Sequence, residues 1–567
     1  MDIRQIITGL ALLFIINIQA QQKPNVIVIL TDDMGYGDFG CHGHPQLKTP
    51  HIDALHAKSI RFTNFHVGTT CSPTRAMLMT GKNNNHVGVW HTINGREMAD
   101  KDETIMPEFF KKAGYRTGIF GKWHLGDSYP FRPQDRGFDE VLVHGGGGVG
   151  QAPDFWGNDY FDDTYFRNGK PESFKGYCDD IWFAEAMHFM EQQKDKPFFC
   201  YIPTNVAHGP YNIAPEYTMP YQNKPDVPNA NFAGMIAKVD ENIGKLMMFL
   251  SKKGLDKNTI ILFMTDNGTA EGAKLDNNGF VQSGFNANMR GKKGSVYEGG
   301  HRVPLFLYDP TRQNRARDID VLASGMDIAP TVLDMCDIRY KNTFQGISLM
   351  PLLEGKSIPS RVLIADTQRE EYLTKNKPYS VMTQKWRLVN GKELYDISND
   401  AEQRKNVAVQ FPDTAAYLKN EYEKWWEKIS DQKNDYQRFI VGSKKEKVVC
   451  LTGHDLHVEK GSPPWHQIMI QQERGENGFW AIETLQKGTY AFELRRFPKE
   501  AGTKIPPQYI HAKMEINGQI VTSEIPENSE KITFTVNLPK GKHNLKTWLS
   551  SSNEKTVAAT YVYIQKL

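Results

Sequence analysis

The chain has 567 residues, which is enough for two or more domains of roughly 100–200 residues each. Its 68 basic residues are nearly balanced by 66 acidic ones. This balance excludes a polycationic protein that binds nucleic acid through its overall charge, and we therefore expect no nucleic-acid partner.

The first twenty residues have the pattern of a secretory signal peptide. Arg4 precedes an apolar run from Ile6 to Ile18, and Ala20 is a suitable cleavage point. The run is too short to cross a bilayer comfortably, and no second run of that length follows, so we expect no stable membrane span. The pattern predicts residues 1–20 as a signal peptide and a periplasmic or secreted mature protein.

The six cysteines do not form a recognisable metal or redox motif. They are Cys41, Cys71, Cys178, Cys200, Cys336 and Cys450, and no pair has the Cys-x-x-Cys spacing. An exported chain can form disulfides, but the spacing does not determine which cysteines would pair.

Apolar, β-branched runs alternate with helical patterns through the first three-quarters of the chain. Continuous apolar runs predict buried parallel strands at 25–30, 117–120, 198–202, 259–264 and 303–307. Between two of them, Met235, Val239, Ile243 and Leu250 lie on one helical stripe. The alternation predicts an α/β domain with a doubly wound, mostly parallel sheet over residues 21–435.

The pattern changes near residue 435. A helix with Leu418, Tyr422, Trp425 and Ile429 on one face closes the first unit. Short alternating strands then follow at 479–483, 490–494, 531–536 and 557–562. We predict a C-terminal β-sandwich-like domain over residues 436–567.

Acidic side chains follow two of the predicted parallel strands. Asp32 and Asp33 come after the strand at 25–30, and Asp266 and Asn267 come after the strand at 259–264. Ligands of such sheets gather at the carboxyl ends of strands. Oxygen ligands suit Ca²⁺ or Mg²⁺ and not zinc. A helix cap or turn is the alternative for the Asp pair taken alone.

The segment around Cys71 predicts a helix start. Pro73 suits the first helical position, which places Cys71 at the helix N-terminus, where an anion is favoured. Arg75 lies one turn along and can face the same way. The alternative for this segment alone is a buried or disulfide-bonded cysteine beside a surface arginine.

Further basic side chains follow other strands. Lys122 and His124 lie two residues apart after the strand at 117–120, so in an extended conformation both could face one side. His208 follows the strand at 198–202. A solvated lysine and a capping histidine are the alternative for the Lys122 and His124 pair alone.

Three segments together resemble the formylglycine-dependent sulfatases of the alkaline-phosphatase-like superfamily. Residues 71–81, beginning Cys71-Ser72-Pro73-Thr74-Arg75, resemble the signature around the family's modified cysteine. Residues 114–124 resemble the second signature, and 291–300 resemble the family's Lys-Gly-x-x-x-Glu-Gly-Gly segment. Thr74 and Phe120 depart from the residues usual in the family.

The resemblance implies the reaction, hydrolysis of a sulfate monoester. It implies that a sulfatase-maturing enzyme converts Cys71 to formylglycine, the nucleophile, and that Ca²⁺, or less favourably Mg²⁺, is bound. The metal ligands that it implies are Asp32, Asp33, Cys71, Asp266 and Asn267. The catalytic residues are Cys71, Arg75, Lys122, His124, His208 and Lys293, with Lys293 chosen over Lys292 because it directly precedes Gly294.

The sequence indicates the substrate less clearly than it indicates the reaction. An exported sulfatase with an added β domain suggests a sulfated glycan, with an aryl sulfate as the alternative. The glycine-rich run 144–150 is interpreted as a flexible rim of the pocket, and His86, His144 and Trp156 are substrate-binding candidates. An ordinary surface loop is the alternative for the segment around Trp156. For residues 462–467, packing within the β-sandwich is favoured over reaching the cleft.

Two other functions remain open from sequence. A phosphonate monoester or phosphodiester hydrolase on the same scaffold also uses formylglycine. A non-catalytic glycan-binding protein, with the β domain as its functional part, is the second alternative.

Overall fold

The computed structural model describes residues 23–193, 195–312, 316–341, 344–430 and 436–567. The predicted signal peptide at 1–20 lies outside these residues. The described strands are β1 (Asn25–Thr31), β2 (Ile60–Phe62), β3 (Phe65–His66), β4 (Arg116–Lys122), β5 (Glu140–His144), β6 (Thr164–Arg167), β7 (Lys170–Ser173), β8 (Phe198–Pro203), β9 (Thr259–Thr265), β10 (Ala273–Leu275), β11 (Val281–Gly284), β12 (Leu305–Tyr308), β13 (Arg317–Ile319), β14 (Ala323–Ser324), β15 (Leu363–Asp366), β16 (Tyr379–Met382), β17 (Trp386–Val389), β18 (Glu393–Asp396), β19 (Phe439–Val441), β20 (Val448–Thr452), β21 (Trp480–Thr484), β22 (Gly488–Arg495), β23 (Tyr509–Ile516), β24 (Gln519–Glu524), β25 (Ile532–Leu538), β26 (Gly541–Ser551), β27 (Thr556–Val557) and β28 (Tyr561–Lys566).

The described helices are α1 (Pro50–Lys58), α2 (Cys71–Thr80), α3 (Met106–Lys112), α4 (Cys178–Glu191), α5 (Pro215–Thr218), α6 (Ala230–Lys252), α7 (Glu298–His301), α8 (Ile328–Met335), α9 (Met350–Leu353), α10 (Pro412–Ile429) and α11 (Gln467–Gln471). Among the residues described, no helix combines the length and the apolar character needed to cross a bilayer.

A ten-stranded sheet forms the centre of the molecule, in the order β13-β2-β12-β9-β1-β8-β4-β5-β6-β7. The inner strands β9, β1, β8, β4 and β5 are parallel. Both faces are covered, so β1 and β9 are buried along their whole length. This explains why they read as continuous apolar runs without alternation. The predicted doubly wound α/β fold is confirmed.

One apolar cluster packs on each face of this sheet. Val26, Val28 and Leu30 point to one cluster, whereas Ile27 and Ile29 point to the other. The predicted helical stripe belongs to α6, and it is buried in the second cluster. The two clusters hold the strands rigidly, so the residues that follow their carboxyl ends have well-determined positions.

A four-stranded antiparallel sheet, β15-β16-β17-β18, follows the central sheet in the chain. The helix α10 packs on it through Leu418 and Tyr422, and the ring of Tyr422 stacks on Tyr379 at 3.7 Å. The helix was predicted from sequence, whereas this separate sheet was not.

The last part of the chain forms two sheets that share one core. One sheet has the order β19-β21-β26-β23-β24, with β27 beside β26, and the other has the order β20-β28-β22-β25. Alternate residues such as Ile532, Phe534 and Val536 point inward and pack against side chains of the facing sheet. This is the predicted β-sandwich-like region, and we call residues 436–567 the C-terminal β region. The predicted boundary between the two domains falls at residue 435, and residues 431–435 are outside the described part of the chain.

Candidate active site

Acidic side chains meet where β1 and β9 end. The two strands pair in parallel with Thr31 opposite Thr265, so Asp32 and Asp266 leave the sheet side by side. Asp33 has a φ of 63°, in the left-handed region, so the extended course of β1 does not continue through it. Its N–H donates to Asp266 Oδ1 at 3.1 Å. One ligand atom each of Asp32, Asp33, Cys71 and Asp266 lies within 4.8 Å of the others, and all four residues are buried.

The donor set fits a hard divalent cation. It offers three carboxylates, and Asn267 adds an amide oxygen, Oδ1, which is buried without a hydrogen-bond partner among the described residues. The Asn267 amide nitrogen donates to Asp33 Oδ1 at 3.0 Å, which places the residue at the cluster. Oxygen ligands of this kind suit Ca²⁺ or Mg²⁺. The predicted ligands Asp32, Asp33, Cys71, Asp266 and Asn267 are therefore brought together.

Cys71 is the first residue of α2, and its Sγ lies 3.4 Å from Asp32 Oδ1 and 3.9 Å from Asp33 Oδ1. Burial, and then the charge of Asp32, raise the pKa of this thiol above its usual range. The sequence predicted Pro73 as the first helical residue, but the helix begins two residues earlier, at Cys71. Pro73 is tolerated as the third helical residue because the N–H groups of the first turn have no partner within the helix.

Cationic side chains surround the cluster. Arg75 donates to Asp266 Oδ2 at 2.9 Å and to the carbonyl of Lys122 at 2.9 Å. The ammonium of Lys122 lies 2.7 Å from Asp32 Oδ2. Both side chains are completely buried. Arg75 and Lys122 therefore converge on the acidic cluster, as the sequence predicted.

The structure separates the two neighbouring lysines of the 291–300 segment. Lys293 Nζ lies 2.6 Å from Asp33 Oδ1, whereas Lys292 Nζ donates to the carbonyl of Ala270 at 2.9 Å. Burial alone would raise the pKa of Asp33, but the charges of Lys293, His208 and Lys122 outweigh it and hold that pKa below its usual range. Lys293 is therefore the lysine of the site.

His208 and His124 lie on the same edge of the sheet. His208 Nε2 is 3.9 Å from Asp33 Oδ2, and Nδ1 is 2.6 Å from the carbonyl of Gly209. Burial, followed by the charge of Lys293, lowers the pKa of His208 to about 3.

The conformation of His124 differs from the predicted extended one, because its φ is 59° and β4 has already ended at Lys122. His124 Nε2 lies 2.9 Å from the carbonyl of Thr92, and Nδ1 has no hydrogen-bond partner among the described residues. A carbonyl can only accept, so Nε2 carries the proton and Nδ1 keeps its lone pair in the neutral ring.

The glycine-rich run packs directly on these histidines and is buried. A Cβ at Gly147 would lie 2.2 Å from the His124 ring, and a Cβ at Gly148 would lie 3.1 Å from the His208 ring. The N–H of Gly147 donates to Gln151 Oε1 at 2.7 Å. The run is therefore a close-fitting support of the site, and its interpretation as a flexible rim was wrong.

Replacement of Gly147 by alanine is expected to reduce turnover by about 10–10²-fold, because the new methyl group must displace His124 and small misplacements are costly in catalysis. The measurement is steady-state turnover, with the fold monitored by circular dichroism. Gly325→Ala is a matched control, since a Cβ there meets its nearest neighbour at an ordinary 3.5 Å. Equal turnover of the Gly147 and Gly325 variants would show that the close fit has no catalytic role.

The three predicted substrate-binding residues are not brought together. His144 ends β5 opposite Lys122 and is fully buried, with Nδ1 2.8 Å from the carbonyl of Gly145. His86 lines a separate groove with Trp425 and Lys428. Trp156 packs edge-on against Phe497, 5.5 Å between ring centroids, at the junction with the C-terminal β region. Neither His86 nor Trp156 contacts the acidic cluster, and their substrate-binding role stays a prediction.

The C-terminal β region contacts the site through the segment 462–467 and through His454, and the sequence did not indicate His454. The N–H of Gln467 donates to the carbonyl of Gly150 at 3.0 Å, and its side chain donates to the carbonyl of Gln151 at 3.2 Å. The ring of His454 lies 6.1 Å from that of His124. Residues 462–467 thus hold the glycine-rich run, instead of packing only within the sandwich.

A doubly wound sheet with an acidic, cation-lined cluster at its carboxyl edge defines a hydrolase of the alkaline-phosphatase-like superfamily. Residues 24–338 match the family model described as Sulfatase, and residues 291–431 match the model for the C-terminal part of N-sulphoglucosamine sulphohydrolase. The chain belongs to the sulfatase family and is an enzyme that hydrolyses sulfate esters. Neither match extends past residue 431.

Named relatives agree with this assignment. The chain is 29% identical over 367 residues to human N-acetylgalactosamine-6-sulfatase, covering 59% of this chain and 67% of the relative. It is 27% identical over 527 residues to an uncharacterised sulfatase of Schizosaccharomyces pombe, covering 72% and 94%. The structure of Ps i-CgsB in complex with k-i-k-neocarrahexaose is similar, with a TM-score of 0.65, 26% identity, and coverage of 73% of this chain and 95% of that one.

Proposed function

We propose that the enzyme uses Cys71, converted to formylglycine by a sulfatase-maturing enzyme, to release inorganic sulfate from a sulfated glycan with the help of Ca²⁺. The observation that carries the proposal is the position of Cys71 Sγ, 3.4 Å from Asp32 Oδ1 and enclosed by acidic metal ligands and buried cations. Hydrated formylglycine supplies a geminal diol, of which one hydroxyl attacks sulfur and the other, once deprotonated, expels sulfate.

The cationic side chains bind and orient the ester. Arg75, Lys122 and Lys293 carry positive charge in a site where burial strengthens electrostatic attraction. Negative charge grows on the sulfate and leaving oxygens during the reaction. Cations already in place stabilise that charge without reorganisation, which is often the largest contribution to catalysis.

The two histidines move protons at opposite steps. An anionic ester beside His208 Nε2 favours the protonated ring, which can then donate to the departing alcohol oxygen. His124 Nδ1 keeps a lone pair because Nε2–H is held by Thr92, so His124 can accept a proton from the second hydroxyl. The balance of the reaction is ester plus water giving alcohol plus sulfate.

Ca²⁺ is favoured over Mg²⁺ as the bound ion. The candidate ligands are three carboxylates and an amide oxygen held by rigid strand ends, and Ca²⁺ accepts irregular, oxygen-rich geometry more readily than Mg²⁺ does. When bound, the ion supplies Lewis-acid stabilisation of negative oxygen. Asp32, Asp33, Asp266, Asn267 and residue 71 would hold it.

Removal of calcium is expected to abolish most turnover and to lower the melting temperature. The buried carboxylates and the unpartnered Asn267 Oδ1 then lose a shared ligand, which removes binding energy from the folded state. We expect EGTA to reduce activity by about 10²-fold or more, and added Ca²⁺ to restore it better than Mg²⁺. The measurements are activity and differential scanning fluorimetry. Full activity after exhaustive removal of divalent ions would contradict the calcium site.

A sulfated glycan is the proposed substrate class. A relative carries the name N-acetylgalactosamine-6-sulfatase, and a similar structure is described in complex with k-i-k-neocarrahexaose. We propose periplasmic or secreted localisation on the basis of the signal-peptide pattern at residues 1–20, which also suits a polymeric substrate outside the cytoplasm.

The decisive comparison is between sulfate and phosphate esters. A phosphonate monoester hydrolase of Agrobacterium radiobacter has the same fold, with a TM-score of 0.52 at 20% identity, so the fold alone does not separate these activities. We expect the matured enzyme to release sulfate from sulfated oligosaccharides with a higher kcat/KM than it shows on phosphodiesters or phosphonate monoesters. Dominant phosphodiester turnover would overturn the proposed specificity.

A further inference from the structure

A second group of titratable side chains lies directly behind His124. Glu97, His454 and Asp455 are each at most 4% exposed, and one ligand atom of each lies within 4.8 Å of the others. Glu97 belongs to the loop before α3, whereas His454 and Asp455 follow β20. The group therefore joins the catalytic part of the chain to the C-terminal β region.

Hydrogen bonding accounts for only part of this group. Asp455 Oδ2 accepts from the hydroxyl of Thr452 at 2.9 Å, in a capping box at the start of the turn 453–455. His454 Nδ1 lies 3.4 Å from Asp455 Oδ1 and 3.7 Å from Glu97 Oε1, longer than the roughly 2.7–2.9 Å of a charge-assisted hydrogen bond. Neither carboxylate oxygen of Glu97, nor His454 Nε2, has a hydrogen-bond partner among the described residues. A buried carboxylate without partners is costly.

The same distances fit ligands that share one small cation. Ligand atoms about 2.0–2.2 Å from a tetrahedral zinc ion lie about 3.4 Å from one another. One imidazole and two carboxylates are ligands that zinc accepts, whereas Ca²⁺ needs six to eight oxygens. Two carboxylates also balance the charge of a divalent ion.

We propose that Glu97, His454 and Asp455 bind a zinc ion at a site separate from the calcium site around Asp33. The ion would tie the C-terminal β region to the loop that contains Thr92, whose carbonyl holds His124 Nε2. The loop is already attached there, because the N–H of Asn94 donates to the carbonyl of His454 at 3.0 Å. The site does not depend on the nature of the nucleophile.

A proton is the competitor for His454 Nδ1. Burial opposes the charged ring, but Asp455 and Glu97 outweigh it and raise the pKa of His454 to about 10. Burial also raises the pKa of Glu97 to about 7, so a proton can occupy Glu97 as well. The protonated cluster and a zinc ion between three ligands are therefore the two arrangements that an experiment must separate. The proton arrangement predicts no bound metal at any of these residues.

The test uses the full chain, stripped with chelator and then given zinc alone. We expect one bound zinc ion per chain by elemental analysis, and a higher melting temperature with zinc. Glu97→Gln and His454→Ala are expected to lose both effects. His543→Ala, which removes another buried histidine of the same β region, is expected to retain them. Absence of zinc from the wild-type chain, or unchanged zinc in both cluster variants, would overturn the proposal.

A second measurement covers the case in which the variants do not fold. X-ray absorption at the zinc edge of the wild-type protein is expected to show only nitrogen and oxygen ligands at about 2.0–2.2 Å, with the scattering of a single imidazole. Two imidazoles would place zinc at His66, Glu298 and His301, and none would place it among Asp32, Asp33 and Asp266; either result would contradict the proposed site. A sulfur ligand would place zinc instead at Cys71 or at the partly exposed group of Cys41, His42 and His56, and would contradict the proposed site.

Discussion

Cys71→Ala is expected to reduce sulfate release by at least about 10⁴-fold, which corresponds to about 5.4 kcal/mol of transition-state stabilisation. The variant removes the side chain that lies 3.4 Å from Asp32 at the start of α2. Arg75, Lys122 and Lys293 remain, so substrate binding should persist while covalent chemistry is lost. The measurement is inorganic sulfate released over time at saturating substrate.

Cys178→Ala is the matched control for this variant. Cys178 is also a buried cysteine at the first position of a helix, α4, but it lies outside the acidic cluster. We expect its turnover to stay within a few-fold of wild type. Equal sulfate release by the Cys71 variant and wild type would remove Cys71 as the nucleophile. No sulfate release from any wild-type preparation in which Cys71 is matured would favour a non-catalytic glycan-binding role.

Lys293→Ala is expected to reduce kcat/KM by about 10²–10³-fold, the range found when one preorganised charge-stabilising group is removed. The ammonium lies 2.6 Å from Asp33 and is 22% exposed, so it can reach both the cluster and an incoming ester. Its loss also leaves the carboxylate of Asp33 with less positive charge nearby.

The adjacent lysine provides an internal control. Lys292→Ala removes the same charge from the neighbouring position, where the ammonium is bonded to the carbonyl of Ala270. We expect at most a few-fold change in kcat/KM. A larger loss in the Lys292 variant than in the Lys293 variant would reverse the assignment of the two residues.

Much of the site was predictable because it depends on strand ends. Buried parallel strands read as continuous apolar runs, and the residues after their carboxyl ends converge whatever the details of packing. Asp32 and Asp266 follow this rule, and Lys122 is the last residue of its strand. The choice between Lys292 and Lys293 rested on the position of Gly294 in the family pattern, and the structure places Lys293 at the acidic cluster and Lys292 against the carbonyl of Ala270.

The remaining features depend on tertiary contacts that local sequence does not encode. The fit of Gly147 against His124 requires two loops to approach within van der Waals distance. The pairing of Glu97 with His454 joins residues more than three hundred positions apart. His86 and Trp156 were predicted as substrate-binding residues from residue type alone. In the structure His86 lines a separate groove, and Trp156 packs against Phe497 of the C-terminal β region. The unexpected turn at His124 arises because β4 ends before it.

The mass of the tryptic peptide that contains residue 71 tests the central claim most directly. In protein from the native host, the proposed mechanism predicts a peptide in which one sulfur and two hydrogens have been exchanged for one oxygen, the change from cysteine to formylglycine. Fragmentation should localise the change to residue 71. An unmodified thiol at Cys71 in protein that releases sulfate would contradict the mechanism.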